Sequence, residues 1–248
     1  MANSDSEWRR WGATEPYFGV LADPCFRKAR IAENRDAFFE LGRLTVEERL
    51  ATAERQFGGF QRRRALDFGC GVGRLSIALA AHFDHVLGLD ISSAMLAEAR
   101  ANANRVGGVG NLRLATSDDA LSAANSSFDF VMSCMVLQHI PVRRGMKILA
   151  GLLALVDNGG VIALQICTRR PDDSSSRLRY WAQRHVPGVR QAFNLRHGRP
   201  WSEPLMQMNV YSVDAVLALA DAAGFGPALV ESHDDGRFES TQLLMRRG

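Results

Sequence analysis

The chain has 248 residues, 46% hydrophobic and 23% charged, with a formal net charge of +3, which suits one large α/β domain or a domain with a small lid. It contains no apolar run of about 18 residues, which argues against a membrane span, and its polar first residues lack the apolar region of a signal peptide. Its four cysteines form neither a CxxC pair nor a metal-ligand spacing, so we expect a cytoplasmic protein with reduced thiols and no metal site.

The first 60 residues precede the first predicted strand, and we interpret them as a helical leader. Residues 29–60 repeat apolar side chains at helical spacing, which predicts a helix there. Four aromatic residues lie nearer the start of the chain: Trp8, Trp11, Tyr17 and Phe18. They either pack the leader onto the domain or cap a ligand, since amphipathic aromatic side chains suit the rim of a pocket. In the second interpretation Tyr17 contacts the substrate.

The stretch ALDFGCGVGRLS, residues 65–76, predicts a strand, a tight turn and a helix. A hydrophobic run ends in Gly69, Gly71 and Gly73, and an amphipathic pattern follows. Glycine lets the backbone adopt positive φ and lets a ligand approach the main chain, while the start of the helix directs free amide groups at that ligand. Asp67 lies near the strand end, where burial of an acid requires a physical reason.

The spacing of this glycine-rich turn argues against a pyrophosphate ligand. A dinucleotide fingerprint reads G-x-G-x-x-G, but here the spacing is G-x-G-x-G and Arg74 occupies the third glycine position. The turn also lacks the Lys-Ser/Thr pair of a phosphate-binding P-loop. The sequence therefore disfavours a nicotinamide oxidoreductase, which we retain as a competing hypothesis.

The second predicted strand ends in a carboxylate. His85–Ile91 is short and apolar, and it contains Asp90 near its end. Ser92 then caps a helix with Met95 on its apolar face. Strands that alternate with helices predict a parallel sheet, whose ligands lie at the carboxyl ends of the strands. A carboxylate there has enough lone pairs to accept hydrogen bonds from two sugar hydroxyls.

Three more strands follow in the same alternation. Leu112–Ala115 is followed by Asp118 and Asp119, and Phe128–Met132 continues through Cys134 and Met135. His139 comes between that fourth strand and a helix that Pro141 opens and that runs to about Val156. A turn at residues 157–160 precedes a fifth strand at residues 161–166. A helix through Ala223 and two strands, residues 228–233 and 238–245, complete the pattern.

These motifs together resemble the class I S-adenosylmethionine-dependent methyltransferases. The resemblance rests on D-x-G-x-G-x-G after the first strand, on Asp90, on the acids at 118 and 119, on Phe128-Asp129 and on the Asn-Gly-Gly turn. It is strong over residues 62–167 and holds in outline over residues 211–248. It implies an α/β fold with a doubly wound, mostly parallel, seven-stranded sheet and an antiparallel last strand. We expect a leader at 1–60 and a methyltransferase domain at 61–248, with a substrate-lid insertion at 168–210.

The resemblance also implies S-adenosylmethionine as cofactor and assigns residues to it. In this family the glycine turn surrounds the amino-acid end of the cofactor, and an acid such as Asp90 binds the ribose. An acid at Asp118 or Asp119 hydrogen-bonds the adenine amino group, and the sequence leaves that choice open. The full predicted cofactor site is Asp67, Gly69, Cys70, Gly71, Gly73, Asp90, Ile91, Met95, Asp118, Asp119, Cys134 and Met135.

The expected reaction is an in-line displacement, in which the protein holds the acceptor, the methyl carbon and the sulfur in line. A hydroxyl acceptor also needs a general base. His139 and His233 are the candidates, because a histidine pKa lies near working pH, and a structural role for His139 is the alternative. The domain lacks both Asn/Asp-Pro-Pro-Tyr/Phe and a Pro-Cys nucleophile. We therefore expect O-methylation of a small molecule or glycan rather than of nucleic acid or protein.

The insertion at residues 168–210 is rich in arginine and should shape the acceptor site. Residues 174–186 predict an amphipathic helix with Trp181 on its apolar face. Such a helix suits an acidic or phosphorylated substrate, an anionic membrane surface or a solvated lid. Trp181, Asn209 and Tyr211 are predicted substrate contacts. A non-catalytic cofactor-binding or membrane-associated regulator remains a second hypothesis for the whole protein.

Overall fold

The computed structural model describes residues 4–170, 174–234 and 238–248. The first three residues of the predicted leader and residues 171–173 of the predicted insertion lie outside that description. The strands are β1 Arg64–Phe68, β2 His85–Asp90, β3 Leu112–Thr116, β4 Phe128–Cys134, β5 Val156–Arg169, β6 Leu229–Asp234 and β7 Glu239–Arg246. The helices are α1 Ser4–Thr14, α2 Pro16–Val20, α3 Ile31–Phe57, α4 Arg74–Leu79, α5 Ser93–Arg105, α6 Val142–Leu155, α7 Ser174–His185, α8 Val189–Arg196 and α9 Val213–Ala222.

The strands form one seven-stranded sheet in the order β3-β2-β1-β4-β5-β7-β6. Strands β1 to β5 pair in parallel, and β7 runs antiparallel to both β5 and β6. The predicted fold class, with its antiparallel last strand, is therefore confirmed. The strand order reverses between β1 and β4, which is where a doubly wound sheet opens a crevice for ligands.

Both faces of the sheet are covered by helices. One buried cluster joins Leu149 of α6 and Val216 of α9 to strand residues such as Val131 and Leu243. The other joins α3 and α4 to the opposite sheet face, through Phe130 and Leu244 among others. Adjacent strand residues fall in opposite clusters because successive side chains point to opposite sides of a strand. This alternation fixes which strand side chains meet each layer of helices.

The leader packs against α5 and the glycine turn instead of lying apart from the domain. Trp11, Tyr17 and Phe38 are buried in a third cluster with Met95 of α5. The helix expected over residues 29–60 runs from Ile31 to Phe57. The turn expected at residues 157–160 lies within β5, where the pairing with β4 shifts register. In the described part of the chain, every helix is too short or too polar to pass through a bilayer.

Candidate functional site

The glycine turn between β1 and α4 folds tightly against its neighbours. Gly69 and Gly71 adopt positive φ angles of 78° and 52°, which most side chains avoid. A Cβ atom on Gly69 would lie 2.3 Å from Val136 Cγ2, and one on Gly71 would lie 2.6 Å from Val20 Cγ2. These positions therefore require glycine both for conformation and for space. The turn leaves main-chain atoms, not side chains, facing the crevice.

Asp90 at the end of β2 ties this turn to the next helix. Its Oδ2 accepts a hydrogen bond of 2.9 Å from the Gly71 amide, and its Oδ1 accepts one of 2.8 Å from the Ser92 amide. Burial disfavours the charged form and raises the pKa of Asp90 to about 6, although both amides act in the opposite direction. Each carboxylate oxygen has lone pairs beyond the one that its amide uses. Asp90 can thus still accept hydrogen bonds from a ligand.

A cavity of about 810 Å³, part of it open to solvent, lies against these residues. It is formed by the ends of β1, β2 and β4, by the loop after β3, and by α1 and α2. Nine of the twelve predicted cofactor residues line it: Gly69, Gly71, Asp90, Ile91, Met95, Asp118, Asp119, Cys134 and Met135. Met135 has a φ of 58°, so the chain bends sharply where β4 reaches the cavity.

The other three predicted cofactor residues, Asp67, Cys70 and Gly73, are not among the residues that line the cavity, and their contact with a cofactor stays a prediction. The Asp67 carboxylate is buried and accepts a 2.6 Å hydrogen bond from Ser76 Oγ. Burial raises the pKa of Asp67 to about 6. The Cys70 thiol is buried, and Gly73 forms the N-terminal cap of α4. These residues support the turn on the side away from the cavity, and Gly69 and Gly71 form the part of the turn that lines it.

The two adjacent acids after β3 have different partners. Asp118 Oδ1 accepts a 2.9 Å hydrogen bond from the Ser122 amide, which closes a turn. Both oxygens of Asp119 accept from Arg144, at 2.6 to 2.9 Å. Arg144 also donates to both oxygens of Asp5 in α1, at 2.6 and 3.0 Å. Asp119 is thus engaged in an ion pair with Arg144, which also links α6 to α1. Asp118 uses only Oδ1 in its hydrogen bond with the Ser122 amide.

His139 lines the cavity in the turn between β4 and α6. Its Nδ1 lies 2.6 Å from the Gln207 carbonyl oxygen, so Nδ1 carries the proton and donates, and Nε2 carries the lone pair. The ring packs against Trp8, with ring centroids 4.7 Å apart. Burial lowers the pKa of His139 to about 4, because the charged form is poorly solvated there. His139 is therefore a neutral imidazole at pH 7.

The remaining predicted catalytic and substrate residues do not line this cavity, and their roles stay predictions. The Tyr17 hydroxyl is buried and donates to Glu98 or Asn102, and the Tyr211 hydroxyl donates to the Ile140 carbonyl at 2.9 Å. Asn209 donates to the Gln138 carbonyl through both its backbone and its side-chain amide. Trp181 is 54% exposed, and His233 lies on the edge strand β6. Asn209 and Tyr211 act as braces of the turn that carries His139.

Sequence reasoning missed two contributions to the site. Arg49 of α3 is 6% exposed, and its Nη1 is buried without a hydrogen-bond partner in the described residues. Its charge lies close enough to Cys134, which lines the cavity, to favour the thiolate. Helix α1 supplies Ser4 and Asp5 to the cavity as well as Trp8. The signal for Arg49 was its place on the apolar face of α3, beside Val46, Leu50 and Ala53.

Comparisons with known proteins agree with this geometry. Residues 65–160 match the family model described as a methyltransferase domain. The chain is 31% identical over 114 residues to the ubiquinone biosynthesis O-methyltransferase of Aeromonas salmonicida, covering 46% of this chain and 47% of that one. It is 37% identical over 117 residues to the trans-aconitate 2-methyltransferase of Deinococcus radiodurans, covering 46% and 42%. The chain thus matches less than half of the length of these relatives.

Solved structures share the fold over the whole chain. The magnesium protoporphyrin IX methyltransferase of Synechocystis PCC 6803, crystallised with bound S-adenosylhomocysteine, superposes with a TM-score of 0.64 at 21% identity. That match covers 99% of this chain and 100% of the other. An N-methyltransferase from Bradyrhizobium japonicum WM9 gives a TM-score of 0.61 at 14% identity and covers 99% of both chains. At these identities the likeness establishes the fold.

Proposed function

We propose that this chain, which belongs to the class I S-adenosylmethionine-dependent methyltransferases, transfers a methyl group from that cofactor to the oxygen of a small-molecule acceptor. One observation carries the proposal. Asp90 and the Gly69–Gly71 turn face the same cavity, at the point where the strand order reverses. The spacing of the glycine turn disfavours a phosphate. An acid beside such a turn suits a ligand that has a sugar and an amino-acid end.

In this proposal the cofactor lies across the carboxyl ends of the strands. Asp90 accepts hydrogen bonds from the ribose hydroxyls, and such bonds to a charged acceptor are stronger than those between neutral groups. Asp118 receives the adenine amino group, because Asp119 already pairs with Arg144. Gly69 and Gly71 let the main chain approach the amino-acid end. The cofactor supplies an activated methyl group on a sulfonium, so the protein has to position it and exclude water.

Arg49 is proposed to balance the cofactor's carboxylate. A buried guanidinium with an unpartnered nitrogen is costly unless an anion or another acceptor meets it. The nearest carboxylate to Arg49 belongs to exposed Glu48, at 3.6 Å, which leaves the buried nitrogen unsatisfied. The position of Arg49 near Cys134 directs its charge at the cavity wall. A carboxylate bound there would satisfy both the arginine and the ligand.

The acceptor is proposed to lie on the side of the cavity formed by Trp8, His139 and Ile140. This wall is mostly apolar, with one neutral imidazole that can take a proton from a hydroxyl through Nε2. The relatives in the comparisons carry names of small-molecule methyltransferases, for ubiquinone biosynthesis, trans-aconitate and magnesium protoporphyrin, and the first and third names specify O-methylation. Their names support an oxygen acceptor in a small molecule. A glycan or phosphorylated acceptor stays a prediction of the sequence.

The binding half of the proposal is tested by calorimetry with S-adenosylhomocysteine. We expect Asp90→Asn to weaken binding at least about tenfold, because a charged acceptor of two hydroxyl donors is lost. Asp84→Asn, which changes an exposed acid just before β2, is the matched control. An affinity of Asp90→Asn within about twofold of wild type would contradict the proposal. Binding of NADH in place of S-adenosylhomocysteine would favour the oxidoreductase.

The catalytic half is tested with S-adenosylmethionine labelled in its methyl group. The acceptor panel contains hydroxylated aromatics, small carboxylic acids, a glycan, transfer RNA and a mixed protein extract. We expect the labelled methyl group to be transferred to a small compound that carries a hydroxyl or a carboxyl group. Label confined to RNA or protein would overturn the acceptor class. Tight cofactor binding without transfer to any member of a broad panel would favour the non-catalytic regulator.

A further inference from the structure

The insertion exposes an unusual set of large apolar side chains. Leu178 is 66% exposed, Trp181 54%, Leu195 58% and Trp201 57%. All four lie in α7, in α8 or in the loop that follows α8. Single exposed apolar residues are common, but several within one short segment mark an interaction surface. This set goes beyond the proposed methyl transfer, because none of these residues lines the cavity.

On α7 the exposed apolar residues form a stripe. Leu178, Trp181 and His185 are spaced by three and four residues, so they share one face of the helix, and all three are exposed. Ala182, Gln183 and Arg184 between them are partly buried. An amphipathic helix normally turns its apolar face into the protein. Here that face points outward, which leaves it without a cover in the described chain.

The charge of the same segment has one sign. Residues 174–202 contain six arginines and no aspartate or glutamate. Arg179, Arg196 and Arg199 are exposed. The next acid, Glu203, is buried, bonds Arg27 of the leader at 2.7 Å and lies 3.7 Å from Arg199, so Arg179 and Arg196 remain as exposed arginines outside this pairing. The outward surface of the insertion therefore combines tryptophan and leucine with positive charge.

The insertion is also anchored to the elements that line the cavity. Glu7 of α1 is buried and accepts from Arg190 of α8 at 2.9 Å and from the Leu205 amide at 2.8 Å. The Gln207 carbonyl accepts from His139 at 2.6 Å. These three hydrogen bonds hold the inner side of the segment to the protein. What remains uncovered is its outer, apolar and basic surface.

We propose that this outer surface of the insertion docks the protein onto an anionic lipid bilayer. Tryptophan and leucine suit the boundary between headgroups and acyl chains, and arginines pair with lipid phosphates. A second copy of the chain is the less favoured occupant. A two-fold interface would bring the exposed Arg179, Arg196 and Arg199 against their own copies, with no acid within residues 174–202 to compensate. The contact is peripheral, since α7 is only 12 residues long.

The test is co-sedimentation of the full chain with two sets of vesicles. One set is phosphatidylcholine alone, and the other contains about one third phosphatidylglycerol, at low and at high salt. We expect pelleting with the anionic vesicles at low salt and at least about tenfold weaker binding for Leu178→Ser/Trp181→Ser. Leu41→Ser/Leu44→Ser on α3 is the control, because these leucines are 45% and 48% exposed outside the insertion. Melting temperatures show that each variant is folded.

Each outcome decides the proposal. Pelleting that is equal for wild type and the insertion variant, or absent for wild type, overturns it. Equal losses in the insertion and control variants would also overturn it, because exposed leucine in general would then be responsible. If gel filtration shows a dimer that Leu178→Ser/Trp181→Ser abolishes, with no vesicle binding, the surface joins two copies instead. Binding is measured without turnover, so failure of the methyl-transfer proposal leaves this test unaffected.

Discussion

At the scale of single residues, burial sets the chemistry of the candidate site. The same cavity wall raises the pKa of Asp90 to about 6 and lowers that of His139 to about 4. Desolvation disfavours the charged form in both cases, so the acid and the base shift in opposite directions. Their hydrogen bonds to backbone amides and to the Gln207 carbonyl then fix which atoms remain for a ligand.

The pH dependence of turnover follows from His139. With a pKa of about 4, its imidazole stays neutral and able to accept a proton down to pH 5. We expect kcat at saturating S-adenosylmethionine to show no acid limb from His139 between about pH 8 and 5, and His139→Phe to lower kcat at least about tenfold. If kcat of the wild type fell on the acid side near the ordinary pKa of histidine, and this fall disappeared in His139→Phe, the lowered pKa of His139 would be contradicted. Unchanged kcat in the variant would leave His139 a structural role.

At the scale of elements, the leader covers one side of the site and the insertion holds the leader in place. Helix α1 supplies three residues to the cavity and is held by Arg144 of α6 and by Arg190 of α8. The Arg144 side chain is 30% exposed and reaches two carboxylates, Asp5 and Asp119. Partly buried arginine networks of this kind hold elements in register more firmly than single exposed pairs do.

Removal of Arg144 should therefore loosen α1 over the cavity. We expect Arg144→Ala to speed dissociation of S-adenosylhomocysteine by about three- to tenfold, with faster hydrogen exchange in α1. Arg43→Ala is the matched control, because Arg43 also bonds two carboxylates, Glu40 and Glu47, but on the exposed face of α3. Stopped-flow release measures the rate. Equal release rates for the two variants would show that α1 does not act as a lid.

At the scale of the whole molecule, stability depends on an acid buried beneath the glycine turn. Burial raises the pKa of Asp67 to about 6 in the folded chain, from an ordinary aspartate value of 3.8. The folded state thus binds this proton more tightly than the unfolded state. The stability that this bound proton contributes is fully present below the pKa of Asp67 in the unfolded chain. It is lost as the pH rises through about 6, the pKa of Asp67 in the folded chain. Asp90 shifts in the same direction.

This linkage predicts a pH-dependent effect of Asp67→Asn. Between about pH 5 and 7.5 the free energy of unfolding of wild type should fall by roughly 1 kcal/mol relative to the variant, because only wild type carries the buried titrating acid. Urea unfolding at both pH values measures the difference, with Asp84→Asn as the exposed control. A difference between wild type and Asp67→Asn that stays constant or grows with pH would contradict the assignment.

The sequence by itself determined the sheet and the cofactor side of the cavity. Alternating apolar strands and amphipathic helices, the glycine turn and Asp90 depend on local conformation and on periodicity, which neighbouring residues encode. Nine of the predicted cofactor residues line the cavity because strand ends in a parallel sheet meet at one edge. Local signals do not report which side of a wall a residue occupies, so the sequence could not show that Asp67, Cys70 and Gly73 lie outside the cavity lining.

Only the tertiary structure decided how distant segments close the site. Asp5 and Trp8 reach the cavity from α1, whereas Tyr17 and Tyr211 form hydrogen bonds with Glu98, Asn102 and Ile140. Trp181 faces solvent because α7 turns its polar side inward. Such outcomes depend on contacts between residues far apart in the chain. Their free energies arise from packing and desolvation, which no local pattern of residues specifies.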